Sequence, residues 1–571
     1  MADAQDNRLL TPTLDSEGRV IAKAVITPEE DAQRCDVIFR SKIIPVLFIP
    51  GIMGSNLKFA KEVDNNKEGA PAWAPPNGKL EGIRAVNTWK WRSPAKRQII
   101  LNPATTTVHS TDNITFPNRE VLAAPPRKGQ KQQDPRLSLY RDRRFWGELH
   151  QESYGEFIAW LEDTLNAMPV KLEEPNWIGE LEGKSGEGAA SGNPVTERPH
   201  LSHATNYSYP VHVYGYNWLE SNAVSAQKMD KRIDTILAEC KKQDPTCEKV
   251  LLVTHSMGGL VARAYTNTSM QKVLGVVHGV MPSTGAPVFY KRMRAGFSGE
   301  SRSNILVRLL SLLFTGHSDP EAALLGADAA HTSPVIASAP GALELAPWGN
   351  YNNGKPWLRV IDTATGEQFS IGGDAIYGDV YANTTAWYGM LPLRAEEVDA
   401  EGNNTRYDPA GLVKKANPGK TLGKVFEERI KKIQDFQKVH ANSYPTPRAV
   451  FWGHDEDEPT YHECVWEGVI PPGVDEAALR AAILVADDMQ GTLTLNAGGK
   501  VFTVKLRKAV GKGEGTVPVE SAKAAAEGAF ASFEQPGYDH QMSYGDKHAQ
   551  WAVLYSIVHL VQNDARAKHC G

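Results

Sequence analysis

One stretch, Val250–Arg263 (VLLVTHSMGGLVAR), constrains this chain more than any other. An apolar run of strand type, Val250 to Val253, enters a tight turn at Thr254–Gly258 and leaves as a helix-compatible run, Gly259–Tyr265. Strand, sharp turn with a central serine, then helix is the setting of a nucleophile elbow. Such a turn strains the backbone of Ser256, and the small residue at Gly258 lets strand and helix pass closely while Oγ projects from the sheet. The helix N-terminus aims amide N–H groups at the place where an oxyanion would form. Thr254 stands where the usual pattern has its first glycine, so its Cβ branch must be accommodated at the most crowded point. A serine–glycine pentapeptide alone also describes an ordinary strand–helix turn. The feeding strand, the Gly258-Gly259 pair and a second glycine loop upstream decide for the elbow.

That second loop follows Ile43–Ile49, a fully apolar run of strand length, and reads Pro50-Gly51-Ile52-Met53-Gly54. In a hydrolase with an elbow of this kind, one oxyanion donor comes from such a loop and the other from the residue after the nucleophile. The backbone N–H groups of Ile52 and Met257 are the expected pair.

Between the two loops the pattern is βαβα. Val211–Tyr214 reads as a strand, and a helix over about Ser225–Lys241 carries Met229, Ile233, Ile236, Leu237 and Cys240 on one face. The elbow strand and helix follow, then a buried strand at Val273–Met281. This rhythm implies a parallel sheet covered by helices, an α/β fold. With 571 residues the chain is too long for one simple core. The expected organisation is a polar arm over 1–42, with one helix around Pro28–Arg34, and a core from 43–290 and 446–571. Large insertions at 58–205 and 285–445 interrupt that core. The first insertion is irregular apart from an amphipathic helix near Tyr154–Met168. The second contains Ser303–Phe314, apolar nearly all round, which reads either as a buried cap helix or as a lid meeting lipid. The basic run Lys291–Arg294 reads as a solvated charge cluster before it reads as a head-group site. Near the C-terminus, Thr492–Leu506 has the form of a hairpin, and a helix closes the chain from about Asp546 to Gln562.

Several classes are excluded or disfavoured. A net charge of −5 gives no general case for nucleic-acid binding. No apolar run approaches the roughly 20 residues that span a bilayer, and the polar N-terminus lacks a signal-peptide core. Cytosolic synthesis without general secretory export is the expectation. Five cysteines imply no disulfide framework, and Cys240 and Cys247, close enough in sequence to bridge, are expected as thiols. His200/His203 and His462/Cys464 lack a second ligand pair, so no metal is expected. Gly183–Gly188 imitates a phosphate loop, but Gly179 lies one residue too close and no strand feeds it. The acidic run Asp455–Glu458 lacks calcium-loop spacing and reads as a solvated turn.

A serine nucleophile needs a histidine base and a carboxylate to orient it, and in α/β-hydrolases the chain order is serine, acid, histidine. His540 lies in the glycine-flanked loop Gly537–Gly545, where such a base belongs, whereas His548 falls in the first turns of the closing helix. For the acid, Glu514 and Asp455 compete, the latter directly following the strand Arg448–Trp452.

Four segments in order, Pro50–Gly54, Tyr216-Asn217-Trp218, Thr254–Gly259 and Gly513–Pro518, resemble those of lipid acyl hydrolases and acyltransferases. These are the relatives of lecithin:cholesterol acyltransferase and of the glycosylphosphatidylinositol deacylases. Leu343–Pro347 is similar to a further segment of theirs. Among bacterial proteins the whole chain most resembles the type VI secretion lipase effectors of the fourth class. The resemblance implies an α/β-hydrolase core with cap insertions, no cofactor, and cleavage of carboxyl esters of membrane phospholipids as a phospholipase A, read as A1. It also implies delivery by a secretion-machine spike or chaperone into the periplasm of a target cell, and a cognate immunity protein. Glu514 stands at the relatives' aspartate, which makes Ser256–His540–Glu514 the expected triad with Asp455 and His548 as rivals. A lipid acyltransferase using the same serine, or a silent binding scaffold, are the alternatives.

Overall fold

Continuous apolar runs without alternation belong to strands buried on both faces, and runs of this kind, such as Val46–Ile49 and Val250–Val253, lie in the middle of a six-stranded central sheet. The computed structural model describes residues 8–10, 13–15, 18–21, 35–37, 40–75, 89, 91–122, 134–167, 176–186, 193–297 and 328–566. Its central strands are β1 (Val46–Ile49), β2 (Val211–Val213), β3 (Val250–His255), β4 (Val273–Gly279), β5 (Arg448–Gly453) and β6 (Ala531–Gln535). They lie in the order β2-β1-β3-β4-β5-β6, and every neighbouring pair is parallel. The fold is an α/β-hydrolase core with a mostly parallel sheet.

Alternate residues of each strand feed two separate cores. Leu47, Ile49, Val250 and Leu252 pack with helices α2 (Asn222–Cys240) and α3 (Gly258–Ser269). Val46, Phe48, Leu251 and Val253 pack with α1 (Gln151–Leu165) and α7 (Lys547–Val561). The observed α1 and α2 start three residues before the positions expected from periodicity. Ser221 caps α2 by accepting the Ala223 N–H, and Asp546 caps α7 by accepting that of His548 at 2.7 Å.

A second six-stranded sheet joins segments far apart in sequence. Its order is Gly366–Gly372, Pro356–Asp362, Cys464–Gly468, Lys500–Leu506, Thr492–Ala497, Ile483–Asp487. The expected hairpin is present, turning at Gly498 and Gly499 with φ of 58° and 87°, the left-handed pair that a type I′ turn requires. Helices α4 (Val288–Ala295), α5 (Ala329–Ser338) and α6 (Leu422–His440) complete the cap around it. No helix among the described residues is long and apolar enough to cross a membrane. The expected helix at Pro28–Arg34 and the apolar segment Ser303–Phe314 lie outside the described residues.

Two expectations are corrected. Lys291–Arg294 is not a solvated cluster: all of α4 is buried, because its cations have partners inside. Lys291 Nζ donates to Gly296 O at 2.8 Å, and Arg294 Nη1 to Trp387 O and Gly389 O, both at 2.7 Å. The acidic run Asp455–Glu458 is part of a strand, Asp455–Thr460, paired antiparallel with Gly511–Gly513.

The Asp487 carboxylate, fully buried on the second sheet, lies 3.3 Å from Arg294 and 2.8 Å from Arg406. Removing one partner of a buried ionic cluster strands the others. We expect Asp487→Ala to lose about 3–5 kcal/mol in urea unfolding; a loss under about 1 kcal/mol would show that the carbonyls around Arg294 and the Glu397 carboxylate beside Arg406 suffice without it.

Candidate active site

Ser256 occupies the turn between β3 and α3 with φ of 50°. Its N–H donates to Gly279 O on β4 at 3.0 Å. A Cβ on Gly258 would sit 2.4 Å from Ile49 O and 2.5 Å from Pro50 O, so only glycine lets α3 start against the end of β1. Thr254 is accommodated because its hydroxyl has a partner across the sheet, His278 Nδ1 at 2.9 Å.

His540 Nε2 lies 2.8 Å from Ser256 Oγ, and its Nδ1 lies 2.8 Å from Glu514 Oε1. For the serine hydroxyl to donate to Nε2, the imidazole proton must sit on Nδ1, where Glu514 accepts it. Glu514 is carried by the loop leaving Gly511–Gly513, the strand paired with Asp455–Thr460 immediately after β5. The loop is fastened by Gly515 N–H to Thr460 Oγ1 at 2.9 Å and His540 N–H to Glu514 O at 2.8 Å. Gly453, at the end of β5, leaves the room: a Cβ there would come within 2.7 Å of Glu514 Cβ.

Burial pushes the Glu514 carboxyl well above its usual range, and the Asp539 carboxylate adds to it. The Val517 N–H, 2.8 Å from Oε1, works the other way. Burial likewise lowers His540 to about 3. The resting imidazole is therefore neutral, the form that can take a proton from Ser256.

The loop Pro50–Gly54 packs directly on the elbow. A Cβ on Gly51 would sit 2.6 Å from His255 Nδ1 and 3.0 Å from Ser256 Cβ. Among the described residues, neither the Ile52 nor the Met257 N–H is donated to another protein group. Tyr216 supports this loop through its hydroxyl to Pro50 O (2.9 Å), and Trp73 Nε1–H donates to Met53 O (2.9 Å).

His255 ties the parts together, a role that its position beside the serine does not announce. Its Nε2–H donates to the carbonyl of His540 (2.9 Å), which leaves Nδ1 to accept from the Tyr154 hydroxyl (2.9 Å). The same phenolic oxygen accepts the Gly51 N–H at 3.3 Å. One polar chain thus links the Pro50 loop, α1, the elbow and the histidine loop. Tyr154 is visible in the sequence only as an oxygen-bearing member of an otherwise apolar helix face.

A narrow cavity opens from Ile52 and Met53, lined by Trp218, Phe289, Val335 and Ile336. Arg292 of α4 also lines it and, by its charge, helps to depress His540. It holds only about 20 Å³ of open space, about one water molecule. The rival residues are engaged elsewhere. Asp455 Oδ2 accepts the Gly537 N–H at 2.8 Å, and the His548 backbone is fixed by Asp546 and Gln535 in α7.

A model of the PGAP1-like α/β domain matches residues 217–298, the span from Asn217 through the elbow and β4 into the cap. The crystal structure of a Tle4–Tli4 complex superposes with a TM-score of 0.69 at 28% identity, covering 91% of this chain and 98% of the matched chain. Phospholipase PlaB from Legionella pneumophila aligns with 56% of this chain and 74% of its own at 11% identity, with a TM-score of 0.13, too low to carry an argument. No curated protein sequence matches.

The depressed His540 makes a pH prediction. A base whose pKa is lowered stays neutral, and so competent, until the pH falls to that lower value. We expect kcat/KM on a soluble ester to keep at least half its value at pH 5.5, where an unshifted histidine of pKa about 6.5 would leave roughly a tenth. An acid limb centred near 6.5 would mean that the charged imidazole is stabilised in the working enzyme.

Proposed function

We propose that this chain, an α/β-hydrolase that resembles the type VI lipase effectors of the fourth class in motif and in three-dimensional structure, is a serine esterase cleaving carboxyl esters of membrane phospholipids. The observation that carries the reading is the unbroken hydrogen-bonded line Ser256–His540–Glu514, with 2.8 Å at each link. Ser256 Oγ attacks the ester carbonyl as its proton passes to His540 Nε2, and Glu514 stabilises the resulting imidazolium. The Ile52 and Met257 N–H groups are proposed to receive the oxyanion. His540 then protonates the leaving alcohol, and a water molecule activated by the same base releases the fatty acid. The apolar walls of the cavity beside Ile52 suit an acyl chain, but the cavity must widen first, which assigns movement to the cap. No metal or cofactor enters these steps.

The test is product analysis on phosphatidylglycerol and phosphatidylethanolamine vesicles carrying different sn-1 and sn-2 chains. Free fatty acid and lysophospholipid are the expected products, with the released chain identifying the bond. Ser256→Ala and His540→Ala should each cut turnover about 10⁴-fold or more, and Glu514→Ala somewhat less. Acyl-alcohol products in place of fatty acid would assign a transferase. Undiminished release by Ser256→Ala would sink the mechanism.

The matched crystal structure is of a two-protein complex. By analogy we propose that this chain too has a dedicated protein partner, an immunity protein, and acts in the periplasm of a target cell. Directed to the periplasm with an export signal, the wild-type chain should arrest growth of a susceptible strain and Ser256→Ala should not. Equal toxicity of the two, or none from an active enzyme, would remove the effector role.

A further inference from the structure

Cys240 is the last residue of α2, and Cys247 lies in the turn that feeds β3. Two backbone bonds fold that turn back on itself: Asp244 N–H to Cys240 O and Cys247 N–H to Asp244 O, both at 2.9 Å. They bring the two thiols into hydrogen-bond contact inside the protein, both buried and both free. Arg566 reaches the same turn from near the end of the described chain. Its Nη1 lies 2.8 Å from Asp244 Oδ2, its Nη2 donates to Ile43 O at 3.0 Å, and its guanidinium adjoins the Cys247 sulfur. Cys240, though not Cys247, also lines a cavity of about 270 Å³, shared with Arg40, Arg143 and Gln243, through which a small reagent can approach Cys240.

We propose that Cys240 and Cys247 are a disulfide-forming pair, made as two thiols and closed by exchange with a low-molecular-weight disulfide once the chain enters an oxidising compartment. Thiolate is the attacking species in such exchange. The hydrogen bond from Cys240 and the cation of Arg566 lower the Cys247 thiol below its ordinary value, against the effect of burial. Cys240, as donor, is held up in the thiol form. One of the two sulfurs, as thiolate, attacks a sulfur of the reagent and expels its other half as a thiolate, leaving a mixed disulfide. The other then gives up its proton and attacks the protein sulfur of that mixed disulfide, expelling the second half. Two protein thiols have lost two protons and two electrons, and the reagent has become two thiols. The bond would staple the C-terminal end of α2 to the foot of β3, the strand that carries Ser256 at its other end. Cys464 is a built-in control, since its thiol donates to Pro287 O at 3.3 Å in the cap.

The inference stands apart from the esterase reading, because its readout is chemical. Full-length protein purified in reductant would be exchanged into mixtures of reduced and oxidised glutathione, alkylated in denaturant and mapped by mass spectrometry. We expect a bridged 240–247 peptide two mass units lighter than the dithiol form, while Cys464 remains alkylated. Closure should raise Tm by about 2–5 °C, reversibly with dithiothreitol, and Arg566→Gln should slow it several-fold. Full alkylation of both cysteines after glutathione disulfide treatment, or a mixed disulfide on either of them that never closes, would overturn the proposal without requiring any variant to fold.

Discussion

The candidate site depends on one backbone constraint, a serine held in the left-handed region at the end of a parallel strand. An L-residue pays roughly 1–2 kcal/mol for that conformation, and it persists only where the surroundings over-determine it. Here they do. Gly279 O holds the serine N–H, and Gly259 N–H returns to Ser256 O at 2.9 Å. Gly51 and Gly258 vacate the two places where any side chain would collide. The order of the sheet supplies the rest, since β3 lies between β1 and β4 and each neighbour contributes one of those contacts. Strain at Ser256 is thus balanced by regular structure on both sides.

The electrostatics follow from the same enclosure. Ser256, His540 and Glu514 are all buried, and among the described residues Glu514 Oε2 has no hydrogen-bond partner. Taking His540 from water favours its neutral form at rest. It also removes the solvent that would otherwise screen an imidazolium–carboxylate pair at His540 and Glu514. Tyr154 and His255 add rigidity to this arrangement. They bond to backbone atoms of the loops on either side of the serine, so the spacing of those loops is held by side chains that need not touch a substrate.

The parts legible in the sequence were local ones. Val250–Arg263 reads as strand, turn and helix because its period changes within a few residues, and the glycine-flanked loops around Glu514 and His540 stand out by composition. Pairing across long separations leaves no such mark. Nothing in Pro356–Asp362 announces that it will pair in parallel with Cys464–Gly468. The burial of Lys291–Arg294 depends on carbonyls near residue 388 and on Asp487, both distant in sequence. Glu514 was placed by resemblance over Asp455, and the physical reason for its fit, the space left by Gly453, emerges only when two strands meet.

The second sheet has a temporal consequence. Its first hairpin ends at Gly372, but the partners that cover its edge run from Cys464 to Leu506, and Glu514 and His540 come later still. At ribosomal rates of roughly 5–20 residues per second, about 7 to 27 seconds separate the exit of that hairpin from the exit of Leu506. Throughout that interval the nascent chain carries an open sheet edge and a serine with neither base nor acid. Vectorial synthesis therefore delays assembly of the whole site until almost the entire polypeptide has emerged, so a truncated translation product would lack the parts needed for the chemistry.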